Sequence, residues 1–390
     1  MAQDSENTVL KLLEHKRQES IELLRSLIKI RSVTGEEGEI AAFITQWFKT
    51  AGFENIEMDE MGNVICRIPG DGKGLALLYN GHMDTVPVGE EFLWEVDPFG
   101  AEILEDRIIG RGACDMKGSI AAMMMAVCAL KEAGIQLKGN LTLTMVVEEE
   151  KGLQEATRFT IESLSAYPDI ALVGEATNYN VSLGSRGGIA VEVSVIGKTA
   201  HAANPSEGIN AILKMNKVID AIQRMKLPSQ EFLGPTTQAI TNITCSPAQL
   251  NVVPDLCTIS IDRRIVVGDN VQSTKKEFQK VIDRLKAKDP ELNAKMEARM
   301  RGLPTFLNDK EPVVKMLQGC VDRVMGRRPQ LSSYRFGTDA SYLGAVAKIP
   351  TVGFGPGDER NAHTPNEFVK IDDLIIASKV YALFVLRLLS

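Results

Sequence analysis

The chain contains four histidines, and three sit in turn-like settings: His82 in GHMDT, His201 in KTAHAANP and His363 in NAHTPNE. An imidazole can move a proton or bind a borderline metal, so chemistry is sought there first. Asp84, two residues after His82, is placed to orient that ring from behind; an ordinary polar loop is the plain alternative. In GRGACDMKGS, Asp115 closes a glycine-rich loop before an apolar helical run, where metal ligand and helix N-cap are both open readings. Glu148, Glu149 and Glu150 follow the apolar run LTLTMVV directly. Three carboxylates at the end of a buried strand repel one another unless a cation neutralises them. Glu175 ends the run DIALVG in the same way. Histidines and carboxylates at strand ends form a nitrogen and oxygen donor set that suits zinc or a similar divalent ion, and one carboxylate can bridge two ions. His15, within a charged helical pattern, reads as a surface residue.

Other chemistries lack their signatures. No GxSxG elbow and no Walker A loop occurs. GDGKG (70–74) and GFGPG (353–357) are glycine-rich, but neither stands between a strand and a helix as a dinucleotide loop would.

The elements that must hold these residues can be read from periodicity. Helical spacing runs from Val9 to Ile30 and from Glu36 to Thr50. Strand-like runs LALLYN, LTLTMVV and DIALVG then alternate with helical stretches at Gly118–Ala133 and Gly152–Leu164, which predicts an α/β domain with a largely parallel sheet. The three runs deliver His82, the glutamate triplet and Glu175 to carboxyl ends of strands, where open α/β sheets bind ligands. From Gly187 the texture changes to a β-α-β-β-α-β order close to a ferredoxin-like pattern. Helix and strand alternation resumes after Lys310. One α/β domain, residues 1–186 and 302–390, is thus expected to be interrupted by a second, 187–301. The half-alternating segment from Gly188 to Gly197 is expected at an edge, available for pairing.

Composition narrows the class. The chain has 390 residues, 44% hydrophobic and 24% charged, enough for a sizeable core and unlike a disordered chain. A net charge of −7 argues against a broad nucleic-acid surface. Six scattered cysteines without a CxxC pair read as reduced, mostly buried thiols of a cytoplasmic protein. The polar start lacks a leader pattern, and the apolar run from Ile120 to Leu130 is too short to span a bilayer, so no membrane partner is expected.

In this order, GHMDTVP, GRGACDMKG, EEEKG, GEAT, KTAHAANP, NVVP with DRR, GTDA and AHTPNE resemble the M20 metallopeptidase family across about Gly81 to Glu367. The resemblance implies a zinc-exopeptidase-like catalytic domain interrupted by a lid or dimerisation domain. It implies two divalent metal ions, zinc by default with cobalt or manganese as substitutes. His82, Asp115 and Glu175 would hold one ion and Asp115, Glu150 and His363 the other. Glu149 would act as general base on a water between the ions, with Asp84 behind His82. His201 would be the lid histidine, which in family dimers reaches a partner's site; Asn251, Arg264, Thr338 and Asp339 would meet substrate. GEAT in place of the commoner GEPT leaves the ligand intact, and Gly152 fixes Glu149 rather than its neighbours as the base. The implied activity is hydrolysis of an N-acyl amino acid, with exopeptidase action on a short peptide as the alternative and a non-catalytic binding protein as a remote one. A homodimer is expected. FLGPTT, SIDRR and FGPGDE are similar to a selenium-metabolism-linked hydrolase branch.

Overall fold

The computed structural model describes residues 2–164 and 166–390. By its internal contacts the chain divides into two units: 1–185 with 306–334 and 338–390, and 186–305 with 335–337.

The first unit begins with three helices, α1 (Ala2–His15), α2 (Arg17–Lys29) and α3 (Gly38–Thr50), so the single helical run expected from Val9 to Ile30 is broken at Lys16. The chain continues through β1 (Asn55–Met58), β2 (Val64–Ile68), β3 (Ala76–His82), α4 (Gly118–Glu132), β4 (Asn140–Val146), α5 (Glu155–Ser163), β5 (Ile170–Val173) and β6 (Val181–Ser185). The residues expected to start α5, Gly152 to Gln154, instead follow a single 3₁₀ turn at Glu149–Lys151.

The inserted unit follows as β7 (Gly187–Ile196), α6 (Ala211–Gln223), β8 (Thr237–Ser246), β9 (Leu256–Ile265), α7 (Val271–Lys288) and β10 (Asn293–Gly302). The first unit then resumes with α8 (Pro312–Met325), β11 (Leu331–Tyr334), β12 (Thr351–Gly353) and α9 (Ile371–Leu389).

The first unit's sheet runs in the order β1-β2-β4-β3-β5-β12-β6, with β11 against β6. Its centre is parallel, β4 to β3 to β5 to β12; β1, β2 and β6 join through antiparallel pairings, and β11 lies parallel to β6. The apolar runs dictate this, because a strand buried on both faces needs apolar side chains at successive positions. Alternation along β3 assigns the two faces. Tyr79 donates its hydroxyl to the Tyr381 carbonyl of α9 (2.7 Å), whereas Leu78 joins a cluster with Ile161 of α5. Helix α4, rich in alanine and methionine, is buried nearly all round and packs on α9. Together with the turn Ala113–Lys117 that precedes it, α4 forms a stretch, Ala113–Glu132, that among the described residues is long and apolar enough to cross a membrane, and 94% of its apolar window is buried. Leu307 N–H donates to the Leu183 carbonyl (2.7 Å), so the chain re-enters this unit beside the strand it left.

The inserted unit is a β-α-β-β-α-β fold whose antiparallel sheet has the order β8-β9-β7-β10. Val191, Val193, Val195, Ile259 and Ile261 meet Met215, Val218 and Phe278 from α6 and α7. The segment expected at an edge is central: β7 pairs with β9 on one side and β10 on the other. Its alternation reflects one helix-covered face and one open face, a pattern that does not depend on position within the sheet. The edges are β8 and β10.

Candidate active site and metal centre

Strand β3 ends on His82, which is 1% exposed. Its Nδ1 lies 2.9 Å from the Asp84 carbonyl, so the backbone takes the ring proton and frees Nε2 as a donor of lone-pair density. Nε2 stands 2.9 Å from Asp115 Oδ1 and 3.4 Å from Glu175 Oε1. On the other side of Asp115, Oδ2 lies 3.1 Å from His363 Nε2, which is itself 2.9 Å from Glu150 Oε1. Two three-residue sets result, His82–Asp115–Glu175 and Asp115–Glu150–His363. Each offers one imidazole and two carboxylates, and each takes a different oxygen of the shared Asp115.

The first set is buried, while His363 is half-exposed, so the second set faces the open side. The backbone bends sharply to build it. Glu148 (φ 59) and His363 (φ 62) both occupy the left-handed region, which such residues enter only when their surroundings hold them there.

Asp84 ties the pieces together. Its Oδ1 accepts the Glu149 N–H (3.0 Å), and its Oδ2 accepts the Glu150 N–H (3.1 Å) and the Thr34 hydroxyl (2.8 Å). One buried carboxylate therefore fixes the turn that carries two glutamates.

Three further groups escape sequence reading. Glu367 accepts the N–H groups of Cys114 and Asp115 on Oε1 (2.9 and 3.0 Å) and pairs with Arg111 through Oε2 (2.6 Å). Glu37 accepts the Glu148 N–H (3.1 Å), and the Tyr334 hydroxyl donates to the Glu175 carbonyl (2.9 Å). Glu367 lies inside the AHTPNE motif, but its partners, two backbone N–H groups and Arg111, lie more than 250 residues upstream.

Electrostatics mark the cluster as a cation site. Burial alone would lower the His82 pKa, yet Asp115, Asp84 and Glu175 raise it well above the ordinary value. Asp115 and Glu150 lift His363 to about 10. Burial would raise Asp115, but His363 and His82 hold it below the usual carboxylate range. Burial and the Asp115 charge push Glu175 up to about 7. Glu149, 8% exposed, is raised well above the usual range by burial and by Asp339, Glu175 and Glu150, against the pull of His82. A site that gathers protons in this way takes divalent cations in their place. The donor chemistry and the shared Asp115 fit two such ions.

Thr338 and Asp339 are buried in the same unit, at 0% and 2% exposure. His201, Asn251 and Arg264 belong to the inserted unit. There His201 is exposed, its short strand Ala200–His201 pairs with Val252–Val253, and Ala202 N–H donates to the Asn251 carbonyl (2.9 Å). Arg264 is held by Asp262 through Nε and Nη2, both at 2.9 Å.

Residues 78–387 match the model of the peptidase family M20/M25/M40. The chain belongs to that family. An uncharacterized protein, YgeY, of Escherichia coli (strain K12) is 29% identical over 371 residues, covering 92% of each chain. A succinyl-diaminopimelate desuccinylase of Pelagibacter ubique is 27% identical, over 93% of this chain and 97% of its own. Among solved structures, the aminopeptidase PepT of Bacillus cereus superimposes with a TM-score of 0.79 at 24% identity, covering 95% of this chain and 98% of its own. M20 membership makes the protein a metal-dependent hydrolase of amide or peptide bonds.

Proposed function

We propose that this M20 hydrolase removes the acyl group from an N-acyl amino acid, with Glu149 as general base. The carrying observation is Glu149 itself: a buried carboxyl that belongs to neither ligand set, held at their edge by the Asp84 hydrogen bond to its backbone. His82, Asp115 and Glu175 would hold one ion and Asp115, Glu150 and His363 the other. When bound, the two ions supply Lewis acidity, which lowers the pKa of a water and polarises the scissile carbonyl. Zinc suits these donors, and cobalt or manganese can substitute.

Glu149 takes the proton of the attacking water and returns it to the leaving amine. His201 Nδ1 accepts the Ala203 N–H (3.1 Å), which leaves the ring proton on Nε2 as a donor for the developing oxyanion. One such donor contributes about 3–4 kcal/mol to the transition state. Asp262 engages Nε and Nη2 of Arg264, orienting the guanidinium and leaving Nη1 for a substrate carboxylate. The desuccinylase name of the Pelagibacter relative supports an acyl-amino acid with a free acid group.

The test is amine release from N-acetyl, N-succinyl and dipeptide substrates by protein stripped with chelator and restored with zinc or cobalt. Metal-dependent release from acyl-amino acids alone is expected. Release from dipeptides alone would overturn the deacylase reading in favour of an exopeptidase.

A further inference from the structure

Strand β8 is an edge strand, largely exposed, whose strand partner is β9. Near its end Cys245 lies directly opposite Cys257 of β9, and the two sulfurs are 3.1 Å apart. Residues directly opposed in an antiparallel pair have Cα atoms about 4.5 or 5.5 Å apart. Both separations lie within the roughly 4.4–6.8 Å that a disulfide spans. The remaining cysteines sit on other elements: Cys66 on β2, Cys114 before α4, Cys128 on α4 and Cys320 on α8.

Between the two cysteines runs the loop 246–256 of the inserted unit. It presents fully exposed Leu250 and then Asn251, and its Val252–Val253 strand pairs with Ala200–His201. At the base of the loop, beside the cysteine pair, Ser246 stands opposite Leu256, and Asp255 N–H donates to the Ser246 carbonyl (3.1 Å).

We propose that Cys245 and Cys257 form a reversible disulfide, a modification site that staples the base of the loop carrying Asn251. Cys245 is half-buried, whereas Cys257 is fully buried and its thiol is pushed up to about 12 by that burial. The more accessible Cys245 therefore meets the oxidant, a hydroperoxide. Its sulfur attacks one peroxide oxygen, the O–O bond breaks, and with hydrogen peroxide a sulfenic acid forms as water leaves. The Cys257 sulfur then attacks the sulfenic sulfur. The S–S bond forms, and the hydroxyl departs as water with the Cys257 proton. Two thiols lose two electrons, and one peroxide is reduced to two waters. A dithiol reverses the change by exchange.

Intact, metal-loaded protein is treated with hydrogen peroxide, its free thiols are alkylated, and the unfolded protein is digested for mass spectrometry. The expected result is loss of two of the six thiols, one cross-linked peptide pair containing Cys245 and Cys257, and recovery with dithiothreitol. Amides of the intervening loop should then exchange more slowly, and Cys245→Ser should lose no thiols at the same dose. Six alkylated thiols in the treated native protein, a sulfinic acid at Cys245, or equal thiol loss in Cys245→Ser would overturn the proposal. Any effect on turnover rests on the substrate-binding reading of Asn251 and His201. The thiol count does not, so the two can fail separately.

Discussion

At the scale of single residues the proposed mechanism separates ion binding from proton transfer. Glu149→Ala should lower kcat by about 10²–10⁴-fold while calorimetry still finds both ions bound; loss of the ions with the activity would place Glu149 among the ligands. Glu367 makes the opposite expectation. It touches neither ligand nitrogen nor carboxylate directly, but it fixes the backbone of Asp115. Glu367→Gln keeps an acceptor for the two N–H groups and removes the charge that answers Arg111. Partners behind a metal ligand are typically worth about 10–100-fold in metal affinity, so ion binding should weaken by that order, and Glu367→Asp should recover part of it. Unchanged affinity in Glu367→Gln would make the ion pair a matter of folding alone. The difference between the two glutamates also shows what a sequence can display. Residue type at strand and loop ends points to His82, Asp115, the Glu148–Glu150 triplet, Glu175 and His363, and the family resemblance is what picks Glu150 from the triplet and Asp115 as a ligand rather than a cap. Glu367, Glu37 and Tyr334 act on backbone groups, which have no residue type to read.

Elements decide whether those residues meet. The parallel centre of the sheet is legible because apolar runs such as LTLTMVV require burial on both faces. The place of β7 in its sheet was not legible, since alternation reports which face is covered and says nothing of neighbours along the hydrogen-bonding direction. The break at Lys16 and the 3₁₀ turn at Glu149–Lys151 likewise carry no local signature; the second exists because Asp84 and Glu37 capture successive N–H groups of the chain. Gly355 is a sharper test of this level. A Cβ there would overlap the carbonyl oxygens of Gly174 and Glu175, both backbone atoms that cannot swing away. Gly355→Ala should cost about 1–3 kcal/mol as an overpacked site, lower the Tm, and weaken the ion set that includes Glu175 more than the set that includes His363. A Tm and ion affinities equal to those of the unaltered protein would show that the strand ends have slack.

For the whole molecule the concentration of buried acid predicts a pH response. A carboxyl whose folded pKa exceeds its unfolded value stabilises the fold below the unfolded pKa and loses that contribution as pH rises through the folded one. Glu175 is raised to about 7 and Asp339 to about 6, burial being the first cause of each. The Tm of chelator-stripped protein should therefore fall as pH climbs from about 4 to about 7. Restored ions should remove that slope and add about 2.7 kcal/mol per site at a free concentration a hundredfold above Kd. A flat profile for the stripped protein would mean that its carboxylates part when the ions leave.

The point where the chain leaves and re-enters the first unit has a consequence for descent. Leu183 and Leu307 are hydrogen-bonded neighbours, and His82, Asp115, Glu150, Glu175 and His363 all lie outside the segment between them. Two crossovers, one on each side of that pair, would exchange the whole intervening module between relatives without severing a single ligand. Recombination can thus trade His201, Asn251 and Arg264 for another set in one event, while both candidate ligand sets are inherited unchanged.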